Sequence, residues 1–233
     1  VAIDGPAGAG KSTVAPGLAA RLGLLLVDTG AMYRAVALAA SRKGFAFSDE
    51  PAVTRLAEQL AESRSIRLVA DTSASTLSTR VMLGDEDVSS AIRTPEMSLG
   101  ASRVSAIPGV RAALLAMQRQ AGEVGGVVLE GRDIGTVVFP DADIKFFLTA
   151  TEVERASRRF RELSQKGASV SLDETLRDVK ERDRADTLRP VAPLAQADDA
   201  VLVDSSDKTI EDVITLMAEK VHARERELGM RPE

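Results

Sequence analysis

The residues best able to do chemistry stand at the start of the chain, in Val1-Ala-Ile-Asp-Gly-Pro-Ala-Gly-Ala-Gly-Lys-Ser-Thr13. Gly5 and Gly10 bracket Pro6, Ala7, Gly8 and Ala9, and Lys11, Ser12 and Thr13 follow at once. An apolar strand pattern precedes this spacing, and a helical pattern with Val14, Leu18 and Leu22 on one face follows it. In that setting the glycines let successive backbone N–H groups turn inward around phosphate oxygens. Lys11 can reach the outer phosphates, and the Ser12 hydroxyl can ligate Mg²⁺. The positive end of the following helix dipole adds to the attraction. A plain glycine turn would have no need of Lys-Ser here. The stretch is read as a site for a nucleoside triphosphate and its Mg²⁺.

Ligands of open parallel sheets bind at the carboxyl ends of the strands, so the other polar clusters at strand ends are candidates for a second substrate. Asp28-Thr29-Gly30-Ala-Met-Tyr33-Arg34 is the first. Arg34 could grip a phosphate with both arms of its guanidinium, or be an ordinary surface arginine of a helix. Glu130-Gly131-Arg132-Asp133-Ile134-Gly135 is the second. A buried Arg-Asp pair is costly unless its groups find partners, so it is either a structural salt bridge or a binding element. The flanking glycines, which permit close approach of a ligand, favour binding.

The third cluster is Glu181-Arg182-Asp183-Arg184-Ala-Asp186-Thr-Leu-Arg189, preceded by Arg155, Arg158, Arg159 and Arg161. Acids nearly balance bases here, as they do on solvated helices with Glu–Arg pairs three or four apart. The same residues could instead form a mobile cationic cover, because phosphoryl transfer needs charge neutralised on the transferred group.

The elements that must position these residues follow from periodicity. Buried strands are expected at 24–27, 126–129, 144–148 and 200–203, and helices at 31–43, 51–63, 95–105, 109–120, 151–163, 172–186 and 210–224. Thr151 with Glu154 is read as an N-terminal cap, and Lys166-Gly167 as the end of that helix. Strands alternating with helices imply a parallel, doubly wound α/β sheet. The period shifts to two at 66–68 and 77–83, around a polar turn beginning at Asp71, which suggests a small antiparallel insertion.

A length of 233 residues suits one sizeable core with small excursions. The absence of cysteine excludes disulfides, thiolate metal sites and cysteine nucleophiles. A net charge of −5 argues against a nucleic-acid surface. Asn is absent too, and with it the Asn-Lys-x-Asp guanine reader of regulatory GTPases. The lone His222 is read as a solvated surface residue. No apolar run is long enough to span a bilayer, no leader is evident, and a cytoplasmic protein is expected, with a few native residues upstream of Val1.

Taken in order, the clusters resemble the bacterial cytidylate kinases, of the nucleoside monophosphate kinase group. The matching segments run from Asp4 to Ser12, Asp28 to Arg34, Glu86 to Val88 with Ile92-Arg-Thr94, Ser102 to Arg111, Glu130 to Pro140, and Glu181 to Arg189 with Pro193-Leu194. Gly-Arg-Asp-Ile-Gly-Thr-Val-Val-Phe-Pro is far more specific than the glycine loop, and the matches cover nearly the whole chain. Thr29 stands where some relatives carry Ser.

The resemblance implies a single P-loop kinase domain over 1–233, with a five-stranded parallel sheet flanked by helices. Its core would be 1–30, 100–150 and 187–233, with an acceptor-nucleotide-binding insertion at 31–99 and an arginine-rich helical lid at 151–186. It implies a monomer that moves a phosphoryl group from ATP, with Mg²⁺, to CMP or dCMP. Arg34, Arg132 and Arg189 would hold the acceptor phosphate. Ser102, Arg111 and Asp133 would read cytosine, and Arg182 and Asp186 the sugar, with Thr29, Tyr33 and Gly131 alongside. Lys11, Arg132, Arg155, Arg159 and Arg182 would be the catalytic cations, Arg155 and Arg159 from the lid over ATP.

Overall fold

In the computed structural model, which describes residues 1–71, 78–165 and 167–230, five parallel strands run in the order β2-β6-β1-β7-β8. They are β1 (Ala2–Asp4), β2 (Leu25–Asp28), β6 (Val127–Glu130), β7 (Lys145–Thr149) and β8 (Val201–Asp204). Their apolar runs and the helices between them give the parallel arrangement that the alternation predicts. The helices are α1 (Lys11–Leu22), α2 (Thr29–Arg42), α3 (Glu50–Glu62), α4 (Pro95–Val104), α5 (Pro108–Gly122), α6 (Glu152–Gln165), α7 (Leu172–Leu188) and α8 (Ile210–Glu227). No helix among the described residues is long and apolar enough to cross a membrane.

The chain divides into two compact units. The first comprises Val1–Leu22 and Arg132–Glu233. Within it β7 pairs with β1 on one side and β8 on the other, in register from Ala2 opposite Lys145 and Phe146 opposite Val201. Its core is built from Ile3, Leu18, Phe146, Leu148 and Met217, all fully buried. The second unit is Gly23–Gly131. Here β2 pairs with β6, and Val36, Val53, Ile92, Val104 and Leu114 lie among the helices.

The period-two segment forms β3 (Ile66–Asp71) and β4 (Ser78–Leu83), antiparallel as expected. A two-residue strand that the periodicity does not announce, β5 (Glu86–Asp87), completes a three-stranded sheet. The Thr79 hydroxyl donates to the Leu26 carbonyl and fixes β4 to β2. The polar turn expected after Asp71, and Lys166, lie outside the described residues.

Helix starts are set by side-chain caps. Glu154 N–H donates to Thr151 Oγ1 at 3.3 Å, as the sequence suggests. Ser171 with Glu174, and Thr209 with Asp212, make full reciprocal boxes. His222 is half-buried beside Glu225, 3.0 Å away on the same helix, and so is less solvated than expected.

Two local features determine how β1 ends. Gly5 has φ 149°, and a Cβ there would sit 1.9 Å from the Leu148 carbonyl oxygen. One residue earlier, Asp4 accepts from Ile134 N–H at 2.8 Å and Gly135 N–H at 2.7 Å. That grip holds a wide π-turn over Ile134–Val138, a segment for which the periodicity announces no element. Burial lifts the Asp4 carboxyl to about 6, and the charge of Asp133 adds to this, while the two N–H bonds and Lys11 pull it down.

Two predictions follow from this corner. Gly5→Ala lowers the unfolding free energy by about 2–3 kcal/mol, because strand backbone rather than a flexible side chain must yield. An unchanged urea midpoint would refute the packing described. For Asp4, the folded chain retains between about pH 4 and pH 6 a proton that the unfolded chain has released, so stability falls as pH rises through that window. Measured against Asp4→Asn, the native chain should lose about 2–3 kcal/mol between about pH 4 and pH 7. A pH-independent difference between the two proteins would contradict it.

Candidate functional site

In the first unit the loop after β1 bends through Gly5, Gly8 and Gly10, the last two at φ 77° and 98°. Its carbonyls are tied back by side chains. Lys11 Nζ donates to the oxygens of Gly5 at 2.6 Å and Pro6 at 2.8 Å. Arg155 Nη1 donates to Ala7 O at 3.0 Å. Ser205 Oγ donates to Ala9 O at 3.2 Å. A loop whose carbonyls are engaged in this way can present its amides to an anion, which is the arrangement of an anion nest. Ser12 and Thr13 are exposed at the first turn of α1.

No group of three or more metal-ligating side chains occurs among the described residues. The Ser12 hydroxyl, exposed at the helix start, is a single oxygen donor of the kind that suits Mg²⁺, which keeps several waters and binds through one or two protein oxygens together with substrate phosphates.

The same unit gathers the arginine–aspartate residues of 132–189. Arg132 Nε donates to Asp186 Oδ2 at 2.9 Å. Arg189 meets Asp133 at 3.5 Å, with both side chains almost wholly buried, and its Nε donates to Ala192 O at 2.5 Å. Burial opposes ionisation of Asp186, but Arg132, by charge and by hydrogen bond, holds its carboxyl below the ordinary range, with Arg182 and Arg189 adding to the effect. Arg155 is bound by Asp183, whereas Arg159 pairs with Glu162 on its own helix at 2.7 Å and stays partly exposed. Of the two readings left open for Arg132-Asp133, the ion pairing is present: Arg132 pairs with Asp186, and Asp133 with Arg189.

The second unit holds the other expected residues in two groups. Asp28 caps α2 by accepting from Ala31 N–H at 3.0 Å, and its second oxygen pairs with Arg34 at 2.5 Å. Beside it the Thr29 hydroxyl donates to the carbonyl of buried Glu130, next to Gly131, at 2.8 Å. Separately, Arg111 lies over the Tyr33 ring at 5.5 Å and donates to Ser105 O at 3.2 Å. Ser102, one turn earlier on α4, accepts from Ser105 Oγ through its carbonyl at 3.1 Å. The Arg34 Nε is buried with no hydrogen-bond partner among the described residues.

The sequence reading quoted Asp28 and Asp183 within its clusters but gave neither a role, although each pairs with a site arginine, Arg34 and Arg155 respectively. Asp28 was findable, since an Asp ending a strand before a helical run is a cap signal. Asp183 was not, because its partner lies on a different helix.

The cytidylate kinase family model matches residues 1–223. The chain is 52% identical over 226 residues to the cytidylate kinase of Syntrophotalea carbinolica, covering 97% of this chain and 93% of that one. It is 48% identical to that of Pelotomaculum thermopropionicum, over 97% of each. A solved structure of an uncharacterized protein from Eubacterium ventriosum superposes with a TM-score of 0.50 at 12% identity, over 95% of this chain and 97% of that chain, which shows a shared fold. With its phosphate loop, Gly-Arg-Asp turn and arginine-rich helices in place along the matched length, this chain belongs to the cytidylate kinase family.

Proposed function

We propose that the chain transfers the γ-phosphoryl group of ATP to CMP or dCMP, giving ADP and CDP or dCDP, by direct in-line displacement. The observation that carries the reading is the pairing, inside one compact unit, of the glycine loop with a network of buried Asp133, Asp186 and Arg189 and half-buried Arg132. An oxygen of the acceptor phosphate attacks the γ-phosphorus, and the bond to the β–γ bridging oxygen breaks. No general base is required, since a phosphate monoester with a second pKa of about 6 is already an anionic nucleophile at neutral pH.

The protein's task is to bring two polyanions together and keep water from the γ-phosphoryl group. The loop amides of 5–13 and Lys11 take the triphosphate. Bound Mg²⁺, held by Ser12, supplies compensating charge on the phosphates. Arg132 and Arg189 take the acceptor phosphate, joined by Arg34, whose buried Nε is a donor suited to an anion. Arg182 and Asp186 address the sugar. Ser102, Arg111 and Asp133 read the base, Thr29, Tyr33 and Gly131 complete the proposed substrate contacts, and Arg159 belongs to the lid. Cytosine offers an amino donor at position four where uracil offers an oxygen, so a carboxylate acceptor selects for cytosine.

An acceptor panel with Mg-ATP, followed by ADP release, tests the reading. CMP and dCMP should stimulate release, UMP about tenfold less or weaker still, given the cost of an unpaired buried polar group. ATP binding without CMP-stimulated release would make the chain a nucleotide-sensing module instead. Asp133→Asn should bring CMP and UMP within about threefold of each other. A retained preference would remove Asp133 from base reading. Lys11→Ala should fold normally and lose on the order of 10²-fold or more in kcat. Arg132→Lys should do likewise, because Lys keeps the charge beside Asp186 but lacks the planar fork. Near-normal turnover in either folded variant would overturn its assigned role.

A further inference from the structure

The Arg155 side chain belongs to three elements at once. Its Nε donates to Ala150 O, just past β7, at 2.9 Å. Its Nη1 donates to Ala7 O in the phosphate loop at 3.0 Å. Both Nη atoms engage the Asp183 carboxylate of α7, at 2.9 and 2.6 Å. The Arg155 side chain is 5% exposed, and that of Asp183 is 19% exposed. The loop rests directly on this residue, since a Cβ at Gly8 would stand 3.1 Å from Arg155 Cβ and 3.3 Å from its carbonyl oxygen.

We propose that Asp183 is a positioning residue for the phosphate loop, acting through Arg155. A guanidinium this buried needs its charge answered, and Asp183 answers it with a two-bond fork. The fork fixes the rotation of the guanidinium plane, and that rotation aims Nη1 at Ala7 O. Holding the Ala7 carbonyl outward turns the following amides of the loop inward, where the triphosphate would lie. Arg155 is therefore a strut behind the loop, and this takes the place of the role over ATP that the family resemblance implies for it. Helix α7 also carries Arg182 and Asp186, so the helix proposed to touch the acceptor is the one that braces the donor loop.

The inference rests on ATP binding at this loop, and the experiment separates the two ideas. Asp183→Asn and Arg155→Lys are made singly and together. In the nucleotide-free proteins, the amide resonances of Gly8 and Gly10 should shift from their native positions. The Kd for Mg-ATP should rise about tenfold, as expected for losing a charged hydrogen bond, while the Kd for CMP stays within about twofold. The double variant should be no worse than the weaker single one, because both changes cut the same strut.

Unmoved loop amides, equal losses for ATP and CMP, or losses that multiply in the double variant would each overturn the proposal. If the Asn or Lys variants do not fold, Asp183→Glu keeps the charge but lengthens the arm. It should fold, shift the same amides and weaken Mg-ATP severalfold, and native behaviour in it would refute the idea. Were the native protein to bind no Mg-ATP, the functional reading would fail, and the amide shifts alone would decide whether the strut exists.

Discussion

A backbone turn that shows its amides to an anion must dispose of its carbonyls. In this chain they are held from outside by Lys11, Arg155 and Ser205, each donating to a different part of the loop. The amide-facing side is thereby preorganised, and no reorganisation is required when charge arrives. Residues far apart in sequence serve this end. Ser205 follows the last strand and Arg155 lies in the first turn of α6, and both meet a loop that ends at residue 10.

Bringing so many cations into a dry interior carries its own constraint. A buried guanidinium without an acid beside it is strongly destabilising. The first unit answers with a carboxylate for each of three site arginines: Asp183 for buried Arg155, Asp133 for buried Arg189 and Asp186 for half-buried Arg132. The pairs are crossed, so that neighbours in sequence, Arg132 and Asp133, each reach a residue near the end of α7. This lattice ties the turn after β6 to the α7 terminus, the two places where the proposed acceptor contacts are concentrated. Charge neutrality is thus met by the same side chains that are proposed to recognise the substrate. The depressed Asp186 carboxyl and the raised Asp4 carboxyl mark the two limits of this balance, one dominated by arginines and the other by burial.

Family membership and geometry meet at the chemistry of the acceptor. A phosphate nucleophile is already charged, so the site has no need of a poised base. Among the described residues the one histidine is paired with Glu225 on α8, a helix that carries none of the proposed site residues. What the reaction demands is cations with fixed directions, and Arg with a carboxylate partner provides that direction better than Lys does.

Several features were legible in the sequence because they are local. The glycine spacing before Lys11, the switch from helical to alternating period near residue 66 and the Thr151 cap depend on neighbours within a few positions, and each appears where expected. Element ends moved by a residue or two, as when Asp28 proved to be a cap and drew the start of α2 back to Thr29. The two-residue β5 is too short to carry a period, and the π-turn at Ile134–Val138 depends on a grip from Asp4, 130 residues away. Composition and spacing determined a loop of the kind that cradles phosphate and the parallel sheet built around it. Tertiary structure alone decided which aspartate answers which arginine, because the energy of a buried charge depends on partners brought near by folding and not on residues adjacent in the chain.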